Sequence, residues 1–191
     1  MQPAEDFAAD AVLREELRAG PGLVVLTGGQ TGVDTYAARA ALEAGLRVHL
    51  VFPRGLRQED GSLTPARRQR LAAAIVHELP DERFRFRTWT CAYLADVVLL
   101  LDPAGGSGCQ ETMRAARYLG RPLMRPEPAQ LSAAQTESWL AETSARVLMV
   151  AGCRASVLAS KGKGRGLRTQ LATIMAGAAS HDERLRAGQP G

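Results

Sequence analysis

The sequence predicts a three-layer α/β fold, in which a mostly parallel sheet of five or more strands carries helices on both faces. Three observations predict it. Residues 23–26 and 97–101 are short, wholly apolar runs, the pattern of strands buried on both faces of a parallel sheet. Each run leads into a glycine-rich turn and then into a segment whose apolar residues recur at helical spacing. This unit recurs along 191 residues, a length that suits one domain with one substantial core and right-handed crossovers.

The elements follow in order. Residues 4–19 read as an amphipathic cover helix with Phe7, Val12 and Leu17 on one side, ended by Gly20-Pro21-Gly22. After the first strand, Val33, Ala37, Ala40, Ala41 and Ala44 mark a helix that stops at Gly45. Residues 47–51 supply a second strand, and 52–61 have the composition of a long functional loop. Thr64-Pro65 places a cap and a first-turn proline at the start of a basic helix expected to run to about Val76, followed by a short strand at 77–79. A helix at 86–95 leads into the strand at 97–101, and Thr112, Ala115, Ala116 and Leu119 mark the helix after the second glycine turn. Residues 122–124 form a short strand, and Ser132 with Gln135 resembles a capping box for a helix reaching about Thr143. A strand at 146–150 and a helix at 167–178 complete the series. The expected organisation is a single domain, 1–191. It comprises a cover helix (1–20), a motif-bearing core (23–125), a C-terminal strand, basic loop and helix (146–180), and an unstructured tail (181–191).

Composition narrows the classes. The chain is 46% hydrophobic and 23% charged, ordinary values that favour neither disorder nor a membrane protein. Its net charge of +4 comes mainly from arginine and suits an anionic ligand. The basic stretch 161–168 has no interleaved aromatic residue for base stacking, so nucleic acid is the weaker reading. Cys91, Cys109 and Cys153 form no CxxC motif and no even-numbered disulfide framework; His49, His77 and His181 fall in no ligand spacing. The expectations are a cytoplasmic protein, no secretory signal and no protein-ligated metal.

The first turn, Thr27-Gly28-Gly29-Gln30-Thr31-Gly32-Val33-Asp34, sits between a buried strand and a helix start. Glycines allow close backbone approach, and amides at a helix N-terminus favour an anion such as phosphate. The turn is neither GxGxxG nor GxxxxGK[ST]. Its plainer reading has Thr31 as helix cap with Asp34 completing a capping box. A bulky residue at Gly29 is expected to block the ligand while leaving the protein folded. The second turn, Gly105-Gly106-Ser107-Gly108-Cys109-Gln110-Glu111, offers amides and a hydroxyl; Cys109 breaks the GxSxG pattern of a serine hydrolase. Glu111 is a candidate acid or base, or a helix-start carboxylate; Cys109 is either activated by the helix or a small buried residue. Arg54 and Arg57 are candidates to close over an anion from the 52–61 loop, or are solvated surface groups.

Taken together, GGQTGVD after a strand, PRGLRQEDG, Arg87-Thr88, Ala95-Asp96 before a buried strand and the GG-x-G turn resemble the molybdenum cofactor carrier family. That family belongs to a Rossmann-like superfamily shared with the lysine decarboxylase-like (LOG) phosphoribohydrolases and DNA-processing protein A. The resemblance covers residues 23–125, with a weaker continuation at 150–156. It implies a homo-oligomer, dimer or tetramer, that binds the pterin phosphate of the molybdenum cofactor or another phosphorylated, nucleotide-like ligand. Gly28, Gly29, Gln30, Thr31 and Gly32 would then lie at the anion, Arg54 where the family commonly has lysine, and Gly105, Gly106, Ser107 and Gly108 across the pocket, with Asp34 and Arg57 nearby. The LOG pattern PGG-x-G-T-x-x-E is not kept: Ala104 stands in the first-glycine region, Cys109 at the threonine, and Glu111 one residue early. The leading reading is therefore a binding or carrier protein. Hydrolysis of nucleoside 5'-monophosphates at the N-glycosidic bond, with Glu111 catalytic, is the alternative, and a DNA-associated module the third.

Overall fold

A computed structural model describes residues 8–102, 105–126, 131–162 and 166–188. The chain opens with α1 (Ala8–Ala19), β1 (Val24–Thr27), α2 (Val33–Glu43) and β2 (Arg47–Phe52). A small antiparallel hairpin, β3 (Arg57–Gln58) and β4 (Gly61–Ser62), precedes α3 (Pro65–Gln69) and β5 (Ile75–Glu78). Next come α4 (Phe84–Leu94), β6 (Val97–Leu101), α5 (Ser107–Tyr118), β7 (Leu123–Met124) and α6 (Ala133–Glu142). The last elements are β8 (Val147–Gly152), α7 (Ala155–Ser160) and α8 (Leu167–Ala187).

Six strands form one parallel sheet in the order β5-β2-β1-β8-β6-β7. The chain steps outward from β1 through β2 to β5, crosses to β6 and β7, and returns to insert β8 between β1 and β6. Helices α2, α8 and α6 pack together in one layer, and α1, α4 and α5 in the other. The result is the Rossmann-like three-layer arrangement that the apolar runs predict. Leu26, Leu50, Phe52, Leu99, Leu100 and Leu148 are wholly buried between the layers, each contributing about 1.5–3 kcal/mol by leaving water.

Six elements depart from expectation. The basic helix after Thr64-Pro65 stops at Gln69, although Thr64 does cap it by accepting from Arg67 N. Ile75 and Val76 belong instead to β5, where they pair with His49 and Leu50 of β2, so the short strand begins two residues before its predicted start. β-Branched residues suit that edge better than a helix. The unstructured tail expected from 181 is a helix through Ala187, because His181 and Asp182 are buried. Asp182 Oδ1 accepts from Leu23 N at 2.5 Å, and His181 Nε2 bonds the Ala145 carbonyl at 2.8 Å. Finally, α7 and the β3–β4 hairpin stand where loops were expected. Residues 1–7 of the cover helix, 103–104, 163–165 of the basic loop and 189–191 lie outside the described residues. Among the described residues no helix is long and apolar enough to cross a membrane.

Candidate functional site

Because β8 lies between β1 and β6, the two glycine turns leave the same carboxyl edge of the sheet, one on each side of β8. Open parallel sheets bind ligands at this edge, where strand order reverses. Helices α2 and α5 both start there. Gly32 caps α2 and Gly106 caps α5, and neither cap has a side-chain hydrogen bond. By contrast, Thr64 caps α3 and Ser132 caps α6 with hydroxyls, the latter in a full capping box. Helix N-termini without side-chain caps leave their amides and positive dipole ends for an anion. The capping role expected of Thr31 and Asp34 is not observed, since the helix begins one residue later than that box requires.

The first turn is stitched from inside. Arg87 of α4 is buried, donates to the Gly28 carbonyl and lies 3.4 Å from Asp34 Oδ2. That carboxylate also accepts from Gln30 N at 3.2 Å. Burial raises the Asp34 pKa, against the lowering influence of Arg87. Gln58 Nε2 donates to the Gly29 carbonyl at 2.7 Å, tying the β3–β4 hairpin to the turn. Gln30 Oε1 accepts from Thr31 N at 3.1 Å and from Glu59 N at 2.7 Å. Glu59 in turn accepts from the Thr31 hydroxyl and from Ser156, both main chain and hydroxyl. Burial alone would raise the Glu59 pKa, but the Ser156 and Thr31 hydrogen bonds bring it below its ordinary value. Gln30 Nε2 and Arg87 Nε remain buried donors with no partner among the described residues, an arrangement that native proteins rarely leave unfilled.

The second turn is open. Gly105, Ser107 and Gly108 are exposed. Glu111, one turn into α5, accepts from Trp89 Nε1 at 2.6 Å, Arg85 Nε at 2.8 Å and Arg114 at 3.1 Å. Burial pushes its pKa up, but Trp89, Arg85 and Arg114 outweigh that and hold it below the ordinary carboxylate value. It is therefore a fixed anion that clasps α4 to α5. Cys109 is buried and its thiol pKa is driven upward by desolvation, which fits the plainer reading rather than an activated nucleophile.

Arg54 and Arg57 both reach Glu82, at 3.9 and 3.6 Å, so their exposed guanidinium groups have a carboxylate of their own. Arg57 also lies over the Phe84 ring at 5.7 Å, and Arg154 over the same ring at 5.3 Å. A cavity of about 30 Å³ lies between the turns, lined by Gly28, Asp34, Arg87, Cys91, Thr112 and Ala151. It has room for one or two water molecules and is too small for a nucleotide. Arg87, Gln58, Glu59 and Arg154 were not among the expected site residues. Arg87 had a visible signal: with Thr90, Cys91 and Leu94 it forms an i, i+3, i+4, i+7 set, the buried face of α4.

Comparison with known proteins accords with this layout. The "Putative molybdenum carrier protein" of Syntrophus aciditrophicus has a similar structure, with TM-score 0.66 at 20% identity, covering 81% of this chain and 96% of that one. Two structures of E. coli tRNA N6-threonylcarbamoyladenosine dehydratase match at TM-score 0.40 and 13% identity. The one in complex with AMP covers 97% of both chains, and the other covers 96% of this chain and 95% of its own. No curated protein matches. The model of the Circularly permutated YpsA SLOG family matches residues 25–165, which include both glycine turns and the strand between them, and the chain belongs to that family.

Proposed function

We propose that the protein binds and carries a small phosphorylated ligand along the carboxyl edge of its sheet, the pterin phosphate of the molybdenum cofactor or a nucleotide. The observation that supports this best is that two glycine-capped helix N-termini, both without side-chain caps, share one edge at the reversal of strand order. Phosphate oxygens would accept from amides of Gly105–Gly108, with the Ser107 hydroxyl beside them and the Gly32 amide facing from the first turn, where Gly29, Gln30 and Thr31 already donate to side chains of the turn itself. Asp34 holds Arg87 and the turn in shape. Arg57 and Arg154, gathered at Phe84, add positive charge, and Arg54 stands further out. The name of the similar Syntrophus protein favours a molybdenum-linked cargo. No observation favours phosphoribohydrolase chemistry, because the Glu111 carboxylate is already engaged by Trp89, Arg85 and Arg114. Assembly into a dimer or tetramer belongs to this reading; the edge strand β5 exposes Ile75 for such a contact.

The test is native mass spectrometry of the purified chain and of the small molecules it releases, followed by calorimetric titration of the identified compound. A phosphorylated ligand at one per chain, displaced by excess inorganic phosphate and weakened severalfold in an Arg57→Ala, Arg154→Ala variant, is the expected result. A chain that releases no such compound and binds neither a phosphorylated pterin nor AMP would overturn the reading.

A further inference from the structure

Cys109 and Cys153 are 44 residues apart in sequence, yet the strand order brings them together. β8 ends at Gly152, paired with Leu101 at the end of β6, so Cys153 and Asp102 leave the sheet side by side. The first turn of α5 lays Cys109 against them. The two Sγ atoms are 3.9 Å apart, and the Cys153 thiol donates to Asp102 Oδ1 at 3.0 Å. Cys109 is 2% exposed, Cys153 3% and the Asp102 side chain 2%. One ligand atom from each of the three lies within 4.8 Å of the others, and among the described residues no further His, Cys, Asp or Glu joins the group.

The sulfur–sulfur spacing is that of a coordination polyhedron. A tetrahedral ion with zinc–sulfur bonds of about 2.3 Å separates two thiolate sulfurs by about 3.8 Å, against the 3.9 Å observed. A zinc–oxygen bond of about 2.0 Å would set sulfur and oxygen about 3.5 Å apart, so the 3.0 Å contact between Cys153 and Asp102 would open by a small side-chain rotation. A disulfide would instead draw the sulfurs in to about 2.05 Å and give the converging carboxylate no part.

We propose that Asp102, Cys109 and Cys153 bind a thiophilic divalent cation, Zn²⁺ fitting best, with the fourth coordination position taken by water or by an oxygen of a ligand at the sheet edge. Two thiolates and a carboxylate around a dication leave one net negative charge. Arg125, 3.2 Å from Asp102 Oδ2, offsets it. The thiols lose their protons to solvent as the ion enters, since the thiolate is the ligand form. Three protein ligands and one exchangeable position are the arrangement of zinc sites that handle ligands rather than of closed structural sites. The site is coupled to the first glycine turn through Val33 N, which donates to the Cys153 carbonyl at 3.1 Å.

The full chain, reduced and stripped with a chelator, is titrated with Co²⁺ and then Zn²⁺. The expected result is a near-ultraviolet thiolate-to-cobalt charge-transfer band that saturates at one ion per chain and is abolished by Zn²⁺, which also raises the melting temperature. Cys109→Ser and Cys153→Ser should each weaken the band, their combination should remove it, and Asp102→Asn should weaken binding at least about tenfold, a loss that even outer-sphere changes produce. Circular dichroism of the metal-stripped variants establishes that they are folded; Asp102→Asn, which keeps both thiols, carries the test should a serine variant fail to fold. A reduced wild-type chain that shows no charge-transfer band, or a band retained in the double serine variant, overturns the proposal. So does a pair that only oxidises to a disulfide, losing two hydrogens, and takes up no metal when reduced.

Discussion

A β-carbon added at Gly28 would overlap the Arg87 guanidinium, one at Gly29 the ring of Phe52, and one at Gly32 the carbonyl of Cys153; added at Gly105, Gly106 or Gly108 it would meet none of the described residues within 4 Å. The two glycine turns occupy corresponding places, each after a buried strand and before a helix, but their glycines answer to different demands. At the first turn the protein's own side chains fill the space, and Gly29 and Gly32 also have positive φ, 64° and 86°. A side chain at those glycines would strain or overpack the turn. At the second turn Gly105 has φ 62°, but Gly106 has extended backbone at φ −141° and Gly108 lies in the helix. Neither Gly106 nor Gly108 is required by backbone conformation or by packing against the described residues, and both border open space. Closure and access are divided between the turns.

The largest expected effect follows from that division. Gly29→Val places a β-branched side chain at positive φ against Phe52, and loses about 4 kcal/mol or more through combined strain and overpacking. Gly106→Ala should stay within about 0.5 kcal/mol of wild type. Urea midpoints of the two variants measure the contrast, and equal losses would break it. This corrects the expectation that a bulky residue at Gly29 would leave the fold intact; such a variant reports on folding before it reports on a ligand.

Next is the ion pair under the first turn. Arg87→Leu leaves Asp34 buried without its counter-charge, at a cost of about 3–5 kcal/mol. Adding Asp34→Ala to that variant should restore part of the loss, because it removes the stranded carboxylate. Chemical denaturation of the four proteins of this cycle gives the coupling. Additive losses would show that Arg87 acts by volume alone.

Those two variants bear on what the sequence could and could not disclose. Apolar runs leading into glycine-rich turns were sufficient to place β1 and β6, and the turns after them, because burial on both faces demands uninterrupted apolar residues. The inward use of the first turn was hidden, because it depends on Arg87 and Phe52, 59 and 23 residues from Gly28 and Gly29. The meeting of Asp102, Cys109 and Cys153 was hidden for a topological reason: it requires β8, the last strand in the chain, to enter between β1 and β6. The length of α8 was missed because its final buried residues are polar, His181 and Asp182, and apolar periodicity does not register them.

Acid should separate the first turn from the sheet beside it. Burial, with His77 and Arg47 nearby, lowers the His49 pKa from 6.5 to about 4. The unfolded chain binds a proton at this group below pH 6.5, while the folded chain does so only near pH 4. Stability is therefore full above pH 6.5 and falls as pH drops toward 4, by about 3 kcal/mol from this group. Asp34 has the opposite sign: its raised pKa means that the ionised form costs stability, and acid relieves that cost. His49→Leu should flatten the fall in urea midpoint between pH 7 and 4.5. If the fall persists in that variant, the acid sensitivity lies elsewhere.

The smallest effect is expected at the open turn's carboxylate. Glu111 is the residue there that could mark an enzyme, yet its partners give it structural work. Arg85 and Arg114 are about two-thirds exposed at their side chains, so each ion pair adds well under about 1 kcal/mol. Glu111→Gln keeps an oxygen to accept from Trp89 Nε1, the shortest of the three contacts. The variant should lose about 1 kcal/mol or less and bind the ligand as wild type does. Wild type and variant incubated with AMP should both release no free adenine by chromatography. If wild type releases the base and the Gln variant does not, the open turn is a catalytic centre, and N-glycosidic hydrolysis replaces carriage as the function of this edge.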